Sequence, residues 1–381
     1  MKIKFTSKNK NIILALGAES AGNFSVYQNG KIFLSKNFGD LLEEKNFTTF
    51  KKSVLGYFKK NNLTPDIILT DYHPLYKTTT LGLILAKKYK ITLIKIQHHL
   101  AHIFSAYGEN QDPRAREFIG IACDGTGLGL DGKIWGGEIF QFSITPPPLQ
   151  GGVGGSFQLL TKRIGKLENQ IMTGGDLAIR EPCRMLISIL SKFLDKEKIY
   201  KNNVIKKLYS KNEFELLYSQ LKNNFNCQET SSTGRILDAA SVFLGFCDNK
   251  RNYKHEPIDL LEKNSSTPYN IEPQIKQIKK NFYELETTPL FQYLFKNINL
   301  NKKRLAATAQ IYLAKGLYKI AEHLRQSDYA MPIYFAGGIA NNKIISFYLK
   351  SKGVIANKKI ARGDAGISFG QVVFCLLNNN R

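Results

Sequence analysis

Phe118-Ile119-Gly120-Ile121-Ala122-Cys123-Asp124-Gly125-Thr126-Gly127-Leu128-Gly129 is a short apolar run that passes into a glycine-rich turn. An apolar stretch of this length, ended by a turn signal, predicts a buried strand. Leu130-Asp131-Gly132-Lys133-Ile134-Trp135 follows it and places Asp-Gly at the tip of a hairpin. The same order stands earlier in the chain: Ile12–Leu16, Asn23–Tyr27 and Lys31–Ser35 read as three strands, with Gln28-Asn29-Gly30 as a tight link. A helix over Thr49–Lys60, a strand at Asp66–Thr70, a helix at Leu81–Tyr89 and a strand at Ile91–Ile96 complete the first half. In the second half, strand Ile333–Ala336 runs into Gly337-Gly338-Ile339. Two three-strand openings, each followed by helices and more strands, predict a duplicated α/β fold with a cleft between its lobes. The first lobe is expected over residues 1–115 and the second over 116–381. The second carries a mainly helical insert at about 150–300, entered through Pro146-Pro147-Pro148 and Gly151-Gly152-Val153-Gly154-Gly155.

Composition agrees with two lobes. A chain of 381 residues exceeds one ordinary core, and 43% hydrophobic with 22% charged residues is a soluble globular balance. No apolar run approaches the roughly 18 residues that span a bilayer, and no signal peptide or membrane partner is expected. Five scattered cysteines form no CxxC pair, which suits a reducing cytoplasm. The net charge of +23 comes from lysines interspersed with asparagines, densest over residues 191–226. There is no Arg-rich arm or nucleic-acid signature to focus it, so a nucleic-acid partner is not expected. An acidic protein or an anionic ligand would use the same field.

Chemistry concentrates in Ile96-Gln97-His98-His99-Leu100-Ala101-His102, which holds three of the six histidines. On a helix, His98 and His102 stand one turn apart on one face, where two imidazoles form half a metal site or simply pack. Asp124-Gly125-Thr126-Gly127 lets the backbone approach a phosphate, although a plain hairpin uses the same residues. Gly337-Gly338-Ile339-Ala340-Asn341-Asn342 lies between a strand and a helix, a place for an anion or an ordinary connection. Asp364, in Arg362-Gly363-Asp364-Ala365-Gly366, is a turn residue or a third ligand beside His98 and His102.

These segments, in this order, resemble the C-terminal carbamoyltransferase half of the HypF family. That half is similar to the threonylcarbamoyladenosine synthases of the actin-like ATPase superfamily. Nearly the whole chain takes part: Ala15–Ala18, Gly39–Leu41, Asp71–Thr79, Gln97–His102, Asp124–Gly127, Trp135–Glu138, Gly174–Pro182, Thr230–Ala239, Gly337-Gly338 and Gly366–Gln371. The resemblance implies an actin-like fold and a metal held by His98, His102 and Asp364, with iron expected, zinc as the alternative and magnesium a further candidate. Asp124, Gly125, Thr126, Gly127, Gly175, Asp176, Gly337, Gly338 and Asn342 would hold ATP, AMP or carbamoyl-adenylate. His73, Asp176 and Arg180 are the candidates for catalytic contact, although His73 before Pro74 also suits a turn. The implied reaction moves a carbamoyl group from carbamoyl-adenylate to the C-terminal cysteine of a HypE-like protein, toward the cyanide ligands of [NiFe]-hydrogenase.

The chain also departs from the family. The acylphosphatase-like, zinc-finger and YrdC-like segments that precede this half in HypF have no counterpart here, so a separate YrdC-like protein is expected to supply the adenylate. In Tyr253-Lys254-His255-Glu256-Pro257, Lys254 and His255 stand where the family usually has Glu and Gly. The family's Phe-His pair is Ala309-Gln310, and the Asn before the ligand Asp is Gly363. Three other functions therefore stay open: carbamoyl transfer to a small molecule, non-catalytic nucleotide binding, and tRNA-directed chemistry.

Overall fold

Alternation within the first strands sorts their side chains between two cores. Ile13 and Ala15 pack on one face of the sheet while Leu14 and Leu16 pack on the other; Ile67 and Leu69 part from Ile68 in the same way. All of these residues are buried, as strands covered on both faces must be. The computed structural model describes residues 1–5, 7–110, 116–145, 158–325 and 331–378. The Pro146–Pro148 and Gly151–Gly155 runs lie outside them.

The first sheet has six strands, in the order Lys2–Lys4, Lys31–Leu34, Ser25–Gln28, Ile13–Ala15, Ile67–Asp71 and Thr92–Ile96. Pairing is antiparallel as far as Ile13–Ala15 and parallel beyond it. Asn29 (φ 47°) and Gly30 (φ 74°) both take left-handed backbone, as the expected two-residue hairpin requires.

The second sheet repeats that order. Gln158–Leu167, Ile134–Thr145, Glu117–Leu128, Ile333–Ala336 and Ile355–Ala356 are neighbours, the first two pairings antiparallel and the last two parallel. In each lobe the outermost parallel strand leads to a helix, His98–Asn110 in the first and Ile367–Asn378 in the second. These two helices pack together between the sheets; a Cβ on Gly370 would strike the carbonyl of Ala101, so only glycine permits the approach. Ala101, Phe104, Phe118, Phe369 and Val372 share the resulting core. Helices Pro182–Leu190, Thr233–Leu244 and Lys302–Arg325 cover the far side of the second sheet. The duplicated two-lobed fold is as expected.

Two local readings change. The glycine-rich segment after Cys123 is not a turn, because the strand continues from Glu117 to Leu128. Its register jumps from Cys123↔Gly137 to Gly127↔Trp135, leaving Asp124, Gly125 and Thr126 in a bulge. The hairpin tip lies at Asp131-Gly132 as expected, where Gly132 has φ 76°. The insert is helical in bulk, yet it also holds the strands Gln158–Leu167, Gln170–Thr173, Cys227–Thr230, Ile275–Lys279 and Phe282–Leu285. Ile275–Lys279 at the sheet edge is largely exposed, so no apolar run announced it.

Candidate metal centre and adjoining cleft

Strand Thr92–Ile96 ends one residue before helix His98–Asn110 begins, which sets His98 and His102 on the first turns of a helix buried along nearly its whole length. Both rings are buried, with centroids 4.7 Å apart. The bulge at Asp124 and the short 3-10 turn Asp364–Gly366 each add a carboxylate. One donor atom from each of His98, His102, Asp124 and Asp364 lies within 4.8 Å of the others. From His98 Nε2 it is 3.3 Å to Asp124 Oδ2 and 3.7 Å to Asp364 Oδ1; from His102 Nε2 the distances are 3.7 and 3.5 Å. Ligands held about 2.1 Å from a tetrahedral ion stand about 3.4 Å from one another, so the spacing matches atoms gathered around one point. His102 Nδ1 and Nε2 are buried without a hydrogen-bond partner. Two imidazoles and two carboxylates form a donor set that fits a divalent transition metal.

The surroundings hold that set in place. Asp71 Oδ2 lies 2.7 Å from His98 Nδ1, and Asp71 Oδ1 accepts the His73 backbone N–H at 2.9 Å. With Nδ1 donating to Asp71, His98 turns its Nε2 toward the centre, where a bound metal would take the place of the Nε2 proton. The Gly338 N–H donates to Asp124 Oδ1 at 3.1 Å, and the Ser20 hydroxyl donates to Asp364. Gly127 lies against the imidazoles: a Cβ there would fall 2.5 Å from His99 Cε1 and 3.0 Å from His98 Cδ2. Gly337 has φ 100°, and any Cβ would collide with the Cys123 carbonyl, so the strand-to-helix connection meets the bulge only with glycine there.

Charge is concentrated at this point. Burial disfavours the imidazolium of His98, but Asp71, Asp124 and Asp364 outweigh it and hold its pKa well above the usual value. His102 is raised against the same burial by the carboxylates of Asp124 and Asp364 beside it. Burial would lift Asp124, yet His102 and His98 keep it well below the ordinary carboxylate range, and His102 chiefly does the same for Asp364. Burial and then the neighbouring His98 push His99 well down, so it stays neutral. Its Nδ1 meets the Gln97 amide at 2.9 Å, a packing role outside the quartet.

A cavity of about 450 Å³ adjoins the centre, lined by His255, Ile258, Asp259, Glu262, Gly338 and Asn341 among others. That volume suits a nucleoside-sized ligand. Gly338 belongs to both places, since it lines the cavity and donates to Asp124. Asn342 also lines the cavity, but its Oδ1 caps the helix Lys343–Ser351 through Ile345 N–H and its Nδ2 donates to Gln310.

The other expected residues spread along the cleft. His73 stacks on Tyr76 with centroids 4.3 Å apart, and its Nδ1 accepts from Leu75 N–H. Burial lowers its pKa, while the carboxylates of Asp71, Glu19 and Asp176 oppose that shift. Gly175 (φ 57°) sits by Asn226 at the start of the turn into helix Leu177–Arg180, with Asp176 exposed at the helix N-cap. Arg180 is exposed, and no hydrogen bond or ion pair joins it to the quartet. Gly125 faces the buried guanidinium of Arg235, and Thr126 is half-buried beside it in the bulge. Sequence reasoning missed Asp71 as the partner of His98, the placement of Asp124 with the histidines, and Arg235. The signal for Asp71 was an acid ending a buried strand two residues before His73.

Comparison with known proteins identifies the family. The family model described as "HypF Kae1-like domain" matches residues 8–109, and "Carbamoyltransferase, Kae1-like Domain, second subdomain" matches residues 120–371. A probable carbamoyltransferase HypF of Methanocaldococcus jannaschii is 34% identical over 391 residues, covering 99% of this chain and 48% of that protein. A carbamoyltransferase HypF homolog of Cupriavidus necator is 27% identical over 376 residues, covering 94% of this chain and 90% of its own length. The crystal structure of T. kodakarensis HypF superposes with TM-score 0.83 at 27% identity, over 98% of this chain and 49% of that one. The chain thus spans about half the length of the M. jannaschii and T. kodakarensis proteins. Both lobes match in order and both family models fall on the segments that build the centre, so the chain belongs to the HypF family of Kae1-like carbamoyltransferase domains.

Proposed function

We propose that this chain binds a divalent metal and a carbamoyl-adenylate side by side in the cleft and transfers the carbamoyl group to a thiolate brought by a HypE-like protein. The convergence of four donor atoms within 4.8 Å, next to a cavity of about 450 Å³, carries this reading. His98, His102, Asp124 and Asp364 would hold the metal, with iron the first candidate and zinc the second. When bound, the metal would supply Lewis-acid stabilisation of charge on the transferred group. The adenosine would occupy the cavity along Ile258, Glu262, Gly338 and Asn341, with the bulge at Gly125–Gly127 and the Gly337-Gly338 turn close to its phosphate. His73, Asp176 and Arg180 are proposed to contact the reacting end from the first-lobe side and the insert. In the transfer, the acceptor sulfur bonds to the carbamoyl carbon, the carbon–oxygen bond to phosphate breaks, and AMP leaves with the electron pair.

The chain's own thiols support an outside acceptor. Burial pushes the Cys123 thiol pKa to about 12, Cys247 to about 11 and Cys183 higher still, it also raises the half-buried Cys227, and Cys375 is buried. None is a primed nucleophile. A YrdC-like activity would supply the adenylate. No helix among the described residues is long and apolar enough to cross a membrane.

The test is the intact mass of a HypE-like acceptor after incubation with this chain, a YrdC-like protein, carbamoyl phosphate and ATP. A gain of one carbamoyl group on its C-terminal cysteine, lost in His98→Ala and Asp364→Ala, supports the reading. No gain with metal-loaded chain sinks the HypE-like acceptor. Transfer to a small molecule is then the second reading, favoured by Lys254, whose Nζ approaches Asp364 Oδ2 at 3.8 Å from the open side of the cleft.

A further inference from the structure

The turn at residues 251–256 is held firmly beside the centre. Arg251 Nη1 donates to the Lys254 carbonyl at 2.8 Å, and its Nη2 pairs with the fully buried carboxylate of Asp238. Asn252 Nδ2 donates to Glu256 Oε1 at 2.7 Å, and the Glu256 N–H closes the turn onto the Tyr253 carbonyl at 3.2 Å. Fixed in this way, the turn sends Lys254 across to Asp364 at 3.8 Å while 61% of its side chain stays exposed. His255, the next residue, begins the wall of the 450 Å³ cavity, which continues along helix Glu256–Lys263. Lys254 therefore stands where a ligand seated in the cavity would pass toward the metal-type centre.

A second observation concerns the charge behind the turn. Arg235, 4% exposed, also pairs with Asp238, at 2.9 Å, so two guanidiniums share one buried carboxylate. Arg235 Nε and Nη1 and Arg251 Nε have no hydrogen-bond partner. Arg235 Nη2 lies 3.5 Å from where a Gly125 Cβ would be, so the surplus positive charge abuts the bulge. Of the carboxylates of the centre, Asp124 is the one whose charge reaches Arg235. Buried guanidiniums with unmet donors behind an exposed lysine are the arrangement that attracts an anion to the cavity side of the turn.

We propose that the 251–256 turn is the phosphate-recognising wall of the cleft, with Lys254 contacting the phosphate of a nucleoside 5′-monophosphoryl ligand and Arg251 and Arg235 behind it. Lys254 is then a specificity residue, the group by which this chain tells a nucleotide from a nucleoside. The inference rests on the nucleotide reading of the cavity given above.

The experiment is calorimetric binding of AMP and of adenosine to the whole chain in metal-free buffer, so that only protein groups meet the phosphate. Parent, Lys254→Gln and Lys254→Arg are compared at low and high salt. Lys254→Gln is expected to weaken AMP by about five-fold, leave adenosine unchanged and flatten the salt dependence of AMP binding; Lys254→Arg keeps AMP affinity. AMP affinity within about two-fold of the parent in Lys254→Gln, or an equal loss of adenosine, overturns the proposal while leaving the nucleotide cleft intact. Failure of the parent to bind either ligand removes the nucleotide reading, and this inference with it.

Discussion

Replacing Asp71 by Asn tests whether the centre is built to ligate a metal. Both oxygens of Asp71 act as acceptors in a buried place, Oδ2 from His98 Nδ1 at 2.7 Å and Oδ1 from the His73 N–H at 2.9 Å. Asparagine has one acceptor oxygen and a donating amide, so it cannot serve both. If the oxygen keeps His98, the amide faces the His73 N–H and leaves a buried donor unmet, at about 1–3 kcal/mol. If the oxygen turns to His73, the amide donates to His98 Nδ1 and the ring proton moves to Nε2. That atom lies 3.3 Å from Asp124 Oδ2 and is the one expected to bind metal. Either outcome weakens ligation, and loss of such an orienting partner typically costs about 10–100-fold in metal affinity. The assay is zinc affinity by competition with a chromophoric chelator, with thermal melting of the metal-free protein as a check on folding. A folded Asp71→Asn protein that binds zinc within about two-fold of the parent would refute the orienting role of Asp71.

Three other outcomes follow from the same geometry. The parent should retain one equivalent of divalent metal through dialysis, and Asp124→Asn or His102→Ala should not; equal retention by Asp124→Asn would return Asp124 to a purely nucleotide role. Gly337→Ala places a Cβ against the Cys123 carbonyl at φ 100° and should cost about 3 kcal/mol or more, read as a lower unfolding midpoint in denaturant. Arg163→Met removes the cationic partner of Glu138, which is 0% exposed and bonded by Arg163 Nε at 2.6 Å as well as by the Ser231 hydroxyl, and should cost about 3–5 kcal/mol. Burial already raises the pKa of Glu138 with Arg163 present. In the variant the folded state holds that proton more tightly than the unfolded chain, so stability should fall as pH rises above the unfolded value of about 4.3. A variant equally stable at acid and neutral pH would show that Glu138 has found another partner.

Much of the fold was legible because its signals are local. Unbroken apolar runs at Ile13–Ala15 and Ile67–Leu69 mark buried strands, and Asn29-Gly30 marks the one turn type whose two residues both need left-handed backbone. The i, i+4 spacing of His98 and His102 places both rings on one helical face. The repeat of that strand order after residue 117 announced the duplication. The bulge at Asp124–Thr126 was not legible, because a glycine-rich stretch reads as a turn unless the partner strand's register is known. The edge strand Ile275–Lys279 was hidden for a related reason: half-solvated strands carry no apolar run.

The candidate centre divides along the same line. Sequence by itself determined that two imidazoles face the same way, since helical periodicity needs no other part of the chain. The motif around Asp364 left it a turn residue or a ligand until the fold brought it to the histidines, and only tertiary structure decided that Asp124 joins them and that Asp71 orients His98. Those carboxylates arrive from the bulge of the second lobe's first strand, from the turn before the last helix, and from the end of a first-lobe strand. Their meeting depends on how closely helices His98–Asn110 and Ile367–Asn378 approach, at Gly370 against Ala101. That is packing between residues far apart in the chain, which no local pattern encodes.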